Sequence, residues 1–189
     1  AENADRIHVL NALDKLAQQT QLESTVLVYF SGHGYQVSHS PERNHYVMPF
    51  GYNVSNLPQT AISGRELTQK LLAIPAQKLL LLLDCCHAGG LLDNVKTPGV
   101  ELIKAPLPLE ATDLLALGRG RVVIASSRET ELSFAGKPYS AFTLALLEAL
   151  SGQGAAEQDG YVRVADLALH TRQMVPLRTR ERQHPILNF

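Results

Sequence analysis

The sequence predicts an α/β fold in three layers, in which helices cover both faces of a mostly parallel sheet. Residues 25–30 and 79–83 are short apolar runs that end in segments containing glycine, and such runs are typical of strands buried on both faces. A third strand is predicted at 121–126, around the apolar residues 122–125. Helical patterns alternate with these runs, which is the order expected of parallel strands joined by helices.

The remaining elements follow from local patterns. Apolar residues at a spacing of three predict a helix over 4–18. Ser63 and Glu66 have the spacing of a capping box, so a helix begins there and leads into the strand at 79–83. Residues 91–111 contain three prolines and no sustained period, which predicts a loop. We expect further helices at 141–150 and 165–174, and short strands at 46–49, 161–164 and 185–187.

Composition limits the function classes. The chain has 189 residues, 45% of them hydrophobic and 19% charged, which suits a single domain over 1–189. A net charge of −1 gives no electrostatic reason to expect nucleic acid or a membrane as partner, and no apolar run approaches the length of a membrane span. With a net charge that favours neither of those partners, we expect protein or peptide substrates. The adjacent Cys85 and Cys86 cannot join distant segments, so we expect a reducing, cytoplasmic setting.

A thiol and an imidazole follow two of the predicted strands. His33 comes shortly after the run at 25–30, and Cys86 comes shortly after the run at 79–83. Catalytic groups of parallel sheets collect at the carboxyl ends of strands. A thiol is weakly nucleophilic until a base such as imidazole deprotonates it. The pair therefore indicates a cysteine protease in which Cys86 is the nucleophile and His33 the general acid and base.

Two motifs support this interpretation by resemblance. Tyr29–Gly34 (YFSGHG) and Asp84–Gly89 (DCCHAG) resemble the YSGHG and D-x-C-H-x-G motifs of metacaspases and their prokaryotic relatives, the orthocaspase group. His33 precedes Cys86 by 53 residues, and caspases have a similar separation of about 50 residues. Residues 122–127 and 142–150 also resemble this family. The resemblance implies a caspase-like sandwich with a large-subunit-like part (1–90), a loop (91–111) and a small-subunit-like part (112–189).

The same resemblance implies roles for the residues around the pair. The D-x-C-H-x-G motif selects Cys86 over Cys85, and alternation along an extended strand sends Cys85 to the opposite face, as a buried hydrophobe. Backbone N–H groups of Gly34 and Cys86 are the expected oxyanion donors. Asp84 and Ser31 match the metacaspase residues that line the pocket for Arg or Lys before the cut, while capping of a turn remains the alternative for each. Ser126 and Ser127 follow a strand end and are candidates for the substrate-binding wall, with surface solvation as the alternative.

Several expectations concern activation and assembly. Family members begin with a strand, a helix and a second strand, which residues 1–24 do not supply, so we expect the N-terminal segment of the protein as a separate chain or an omitted piece. The resemblance implies a monomer. We expect no metal and no cofactor: residues 35–52 contain one acid, Glu42, too few oxygen ligands for calcium. Self-cleavage near Lys96, Lys104, Arg119 or Arg121 is a further hypothesis. A protease dedicated to one defence or signalling substrate and an inactive caspase-like scaffold are the alternative functions.

Overall fold

The computed structural model describes residues 4–39, 42–85, 101–103, 120–128, 131 and 133–188. The helices in this part of the chain are α1 (Arg6–Gln19), α2 (Leu57–Thr60), α3 (Gly64–Leu72), α4 (Ala141–Leu150) and α5 (Val164–Thr179). The strands are β1 (Thr25–His39), β2 (Glu42–Met48), β3 (Ile62–Ser63), β4 (Lys78–Cys85), β5 (Glu101–Ile103), β6 (Arg121–Ala125) and β7 (Ile186–Asn188). A 3₁₀ turn occupies Val54–Asn56.

The strands form one mixed sheet in the order β3-β2-β1-β4-β6-β7, with β5 paired to β1 as well. Its three central strands, β1, β4 and β6, are parallel, and the outer pairings are antiparallel. This arrangement confirms the α/β class. The parallel strands at the centre are the ones that the apolar runs of the sequence predict.

Helices cover the sheet on both faces. Leu79, Leu81 and Leu83 of β4 pack into a core cluster with α1 and α3. Leu82, between them, packs into a second cluster with α4 and α5. The five consecutive leucines of β4 therefore serve two cores in alternation, which explains why this strand reads as a continuous apolar run.

The predicted capping box at α3 is only partly formed. Ser63 Oγ accepts a hydrogen bond from the N–H of Glu66 at 3.1 Å, as an N-cap residue should. The Glu66 carboxylate, however, pairs with Arg6 of α1 at 2.7 Å. Glu66, which the sequence assigns to the capping box at the start of α3, therefore joins α3 to α1 instead.

Three predicted elements differ from the structure. β1 continues through His39, because its second half pairs with β2 from His33 onward. Within the predicted loop 91–111, residues 101–103 form β5; the rest of that loop lies outside the described residues. Residues 161–163 form no strand: Tyr161 is 73% exposed, and Arg163 already caps α5. Alternating apolar residues there match the strand pattern, but none of the described strands pairs with them.

β1 has an open edge over its first half. Thr25–Gly32 pairs with β4 on one side, and β2 occupies the other side only from His33 onward. Among the described strands, none pairs with that other side of Thr25–Gly32. Leu27 and Tyr29 are 52% and 44% exposed there. This edge offers backbone hydrogen-bonding groups and apolar side chains to one further strand.

A groove of about 860 Å³ lies beside the same edge, between β1 and α1. Its lining is mostly apolar and includes Leu13, Leu16, Val28, Phe30 and Met48.

Within the described ranges, no helix has both the length and the apolar character required to cross a membrane.

Candidate active site

The register of β1 and β4 determines where the site lies. Ser31 pairs with Asp84 and Gly32 pairs with Cys85, which is the last pair of the parallel ladder. His33 is the next residue on one strand, and Cys86 is the next residue on the other. Cys86 and the rest of the predicted motif through Gly89 lie outside the described residues. The two predicted catalytic residues thus directly follow the ends of paired positions on neighbouring parallel strands.

His33 is held within the part of β1 that pairs with β2. It lies opposite Met48 and is half-buried. Its ring centroid is 6.3 Å from that of Tyr35, with the planes tilted by 43°, a separation usual for packed rings. Burial of Tyr35, reinforced by nearby Tyr52, raises the pKa of Tyr35 to about 12, so its phenol stays neutral beside the imidazole. Gly34, a predicted oxyanion donor, is buried between them in sequence.

Cys85 faces away from the candidate site. Its side chain is half-buried and packs against the core cluster that contains Leu81 and Leu83. Asp84, its neighbour, lies on the other face of the sheet, where it contacts α4. This opposite orientation is what alternation along β4 predicts for the two residues.

Asp84 is completely buried at the end of β4. Its Oδ2 accepts a hydrogen bond from Ser140 Oγ at 2.5 Å and another from Thr143 Oγ1. Both hydroxyls belong to the start of α4: Ser140 is the N-cap, and its Oγ also accepts the N–H of Thr143 at 2.9 Å. A charged acceptor makes stronger hydrogen bonds than a neutral one, so this carboxylate fixes the start of α4 to the end of β4.

Ser31 and Ser126 lie at the level of Asp84 on the two flanking strands. Ser31 is the residue of β1 that pairs with Asp84, and it is exposed. Ser126 directly follows Ala125, the partner of Leu83, and its N–H donates to the Leu83 carbonyl at 2.8 Å. Three of the predicted pocket residues therefore form a row across the carboxyl ends of the three central strands. Their role in binding substrate stays a prediction.

The loop after β6 is held by the buried side chain of Gln183. Ser126 is 2% exposed and Ser127 is half-buried. Gln183, which is 0% exposed, donates from Nε2 to the Ser126 carbonyl at 2.8 Å and to Ser133 Oγ at 3.1 Å. Its Oε1 accepts the N–H of Phe134 at 2.8 Å. One buried amide therefore holds both ends of the loop that carries two of the predicted wall residues.

Glu131, in the same loop, is held by side chains on either side of it in the fold. Its carboxylate contacts His184 Nδ1 at 2.7 Å and accepts the His184 N–H at 2.6 Å. Arg128 lies 3.4 Å from the same carboxylate. The pair joins the loop after β6 to the connection before β7.

Metal ligands are not gathered anywhere in the described part of the chain: no three His, Cys, Asp or Glu side chains there could hold one ion.

Sequence reasoning missed four residues of this region. Ser140 and Thr143 contact Asp84, Tyr29 contacts Thr143, and Gln183 supports the loop after β6. Ser140 could have been found as an N-cap, because it precedes a predicted helix. Thr143, Tyr29 and Gln183 have no local signal, since their partners lie 49 to 114 residues away in the chain.

Comparisons with known proteins bear on the fold and the family of this chain. The crystal structure of protein GSU0716 from Geobacter sulfurreducens has a similar fold, with a TM-score of 0.62 and 18% sequence identity over 97% of this chain and 72% of that chain. A comparison with curated proteins found no match. The sequence model of the caspase domain matches residues 1–189. With parallel strands that lead to a histidine and a cysteine, and a match over its full length, this chain belongs to the caspase-domain family of cysteine peptidases.

Proposed function

We propose that the protein is a cysteine endopeptidase that cleaves peptide bonds after Arg or Lys. The observation that carries the proposal is the register of β1 and β4, in which the last parallel pair, Gly32 and Cys85, immediately precedes His33 and Cys86. Neighbouring parallel strands lie about 4.8 Å apart. We therefore expect a histidine and a cysteine that directly follow one such pair to lie close to each other.

The chemistry follows from these two groups. His33 accepts the thiol proton, and the Cys86 thiolate forms a C–S bond to the carbonyl carbon of the substrate. The N–H groups of Gly34 and Cys86 hold the resulting oxyanion. Protonated His33 then donates to the leaving amine as the C–N bond breaks. Water, activated by His33, releases the acyl group and restores the thiolate.

The specificity proposal rests on Asp84. A carboxylate at the level of the scissile bond favours a substrate cation, because a buried anion gains most from a charged hydrogen-bond donor. Asp84 is 0% exposed, and Ser31 pairs with it on the neighbouring strand. Arg and Lys are the two side chains that supply such a cation at neutral pH.

Hydrolysis of matched fluorogenic peptides that end in Arg, Lys or Asp tests this proposal. We expect cleavage after Arg or Lys, complete loss in Cys86→Ala and near-normal rates in Cys85→Ala, which alters only a core-facing thiol. Cleavage after Asp would overturn the pocket assignment. Loss of activity in Cys85→Ala but not in Cys86→Ala would overturn the choice of nucleophile.

Calcium and self-cleavage are tested with the same preparations. We propose activity without added calcium, so a rate that requires calcium and disappears with chelator would contradict the proposal. Self-cleavage would occur at Lys96, Lys104 or Arg119, which lie outside the described residues. Arg121 is a poorer candidate, because it lies in β6 and donates to the carbonyl of Ile74 at 2.6 Å. Mass spectrometry of wild type and Cys86→Ala after incubation identifies any cut made by the enzyme itself.

We also propose that a segment preceding α1 pairs with the open edge of β1 and that the assembled unit is a cytoplasmic monomer. The exposed Leu27 and Tyr29 and the apolar groove beside α1 support this partner, and Ala4, near the start of the chain, lines the groove. Hydrogen exchange on chains with and without the natural upstream residues tests it. We expect added protection at 25–31 and monomeric mass in light scattering; unchanged exchange, or a dimer with the upstream segment present, would contradict it.

A further inference from the structure

Asp84 is part of a hydrogen-bonded chain that reaches the surface. Thr143 Oγ1 contacts Asp84 Oδ2 on one side and Tyr29 Oη, at 2.7 Å, on the other. Tyr29 belongs to β1 and is 44% exposed, whereas Asp84 is fully buried. The chain thus links β1, α4 and β4 at the level where the proposed specificity pocket begins.

The available hydroxyl protons determine which group donates in each of these hydrogen bonds. Ser140 Oγ and Thr143 Oγ1 each donate a hydrogen bond to Asp84 Oδ2. A hydroxyl has one proton to donate, so Tyr29 must in turn donate to Thr143. The N–H of Thr143 donates to Ser140 Oγ at 2.9 Å. Thr143 therefore contributes its own hydroxyl to the carboxylate, and its backbone N–H orients the hydroxyl of Ser140.

The surroundings argue against an incidental cap. On the same face of β4, Leu82 packs against Phe142, Ala145 and Leu146 of α4 in an apolar cluster. An apolar residue at position 84 would continue this packing, and Ser140 could cap α4 without it. A buried carboxylate costs free energy unless donors satisfy it. The hydroxyls of Ser140 and Thr143 compensate for that cost, and they also restrict the orientation of the carboxylate.

We propose that Thr143, with Ser140, is a positioning residue that aims the Asp84 carboxylate at the basic side chain of the substrate, and that Tyr29 orients Thr143. This inference rests on the proposed cleavage after Arg or Lys. The hydroxyls act on specificity only through Asp84. Losing them therefore weakens recognition of a substrate cation and leaves the thiol and imidazole chemistry intact.

The test compares peptides that end in Arg with peptides that end in citrulline, which has nearly the same shape and no charge. Thr143→Val replaces the hydroxyl with a methyl group, and we expect it to lower the Arg-over-citrulline ratio of kcat/KM about tenfold, mainly through KM. Thr143→Ser, which keeps the hydroxyl, should restore the ratio. Tyr29→Phe should lower it less, by about threefold.

Thr68→Val is the matched control. Thr68 is a helical threonine, 5% exposed, whose hydroxyl has no hydrogen-bond partner within the described structure. We expect its ratio to equal that of wild type. If Thr143→Val does not fold, Tyr29→Phe alone decides, because it removes only a hydroxyl from a partly exposed ring.

Two outcomes separate this inference from the proposed function. If wild type cleaves after Arg and both Thr143→Val and Tyr29→Phe keep its Arg-over-citrulline ratio, the positioning role is wrong and the proposed function stands. An equal loss on both peptides also overturns the positioning role, because it would mean a general structural defect. If wild type does not cleave after Arg or Lys at all, the proposed function fails, and the positioning role fails with it.

Discussion

Replacing Gln183 with Met should destabilise the protein and loosen the loop after β6. Gln183 is fully buried and makes hydrogen bonds to the Ser126 carbonyl, to Ser133 Oγ and to the Phe134 N–H, at 2.8, 3.1 and 2.8 Å. Methionine keeps the length of the side chain but removes its donor and its acceptor. Each net hydrogen bond contributes about 1 kcal/mol, so loss of the set should cost about 3 kcal/mol.

Thermal unfolding measures this cost. For a chain of this size, 1 kcal/mol corresponds to about 2–4 °C in Tm, so Gln183→Met should melt about 6–12 °C lower. Gln173→Met is the matched control, because Gln173 is exposed on α5 and should change stability by less than about 0.5 kcal/mol. Equal melting temperatures for the two variants would refute the reasoning. If Ser126 and Ser127 bind substrate, Gln183→Met should also raise KM below its melting temperature.

Two further predictions concern backbone and charge. Gly120 has a φ of +86°, and a Cβ there would lie 2.8 Å from the carbonyl oxygen of Gln77; Gly120→Ala should therefore destabilise by about 2 kcal/mol or more in denaturant titration. Gly51→Ala, with a φ of +75° but open space around it, should cost only the backbone strain of about 1 kcal/mol, and an equal loss in both would contradict the steric account. The hydrogen bond from Arg178 lowers the pKa of Glu148 from its ordinary value of 4.5. The ion pair of Glu148 with Arg178 should therefore stabilise the folded protein above the ordinary pKa of Glu148, and this contribution should disappear as the pH falls through the lowered pKa. Glu148→Gln should then make stability depend less on pH in the acid range. An unchanged pH dependence would contradict the assignment.

The central strands could be predicted because their signal is local. The run of five leucines in β4 needs two apolar faces, and the structure supplies one core for Leu81 and another for Leu82. The same pattern gave a wrong prediction at 161–164, where none of the described strands pairs with it. There an exposed Tyr161 and the cap of α5 replace the expected strand. Periodicity reports which faces are apolar, but it does not report which neighbour covers them.

The candidate site divides along the same line. Positions that depend on strand register, such as Ser31 opposite Asp84, follow from knowing that two runs are parallel neighbours. Ser140 and Thr143 contact Asp84 from 56 and 59 residues further along the sequence. No local sequence pattern predicts contacts over such separations. Such residues can be identified only once α4 is known to pack against the end of β4.

Asp84 shows why stability alone does not explain this sequence. Up to Leu83, β4 supplies leucines to both cores. The next residue, Asp84, places a carboxylate on the face that packs against α4, where the contacts are otherwise apolar. Well-packed hydrophobic residues are often as stable as buried charged groups of similar volume, or more stable by about 1–4 kcal/mol. The protein instead retains the acid together with the hydroxyls of Ser140 and Thr143 that satisfy it. Polar groups that are costly to bury are expected where a fold trades stability for chemistry, and this one lies two residues before the proposed nucleophile.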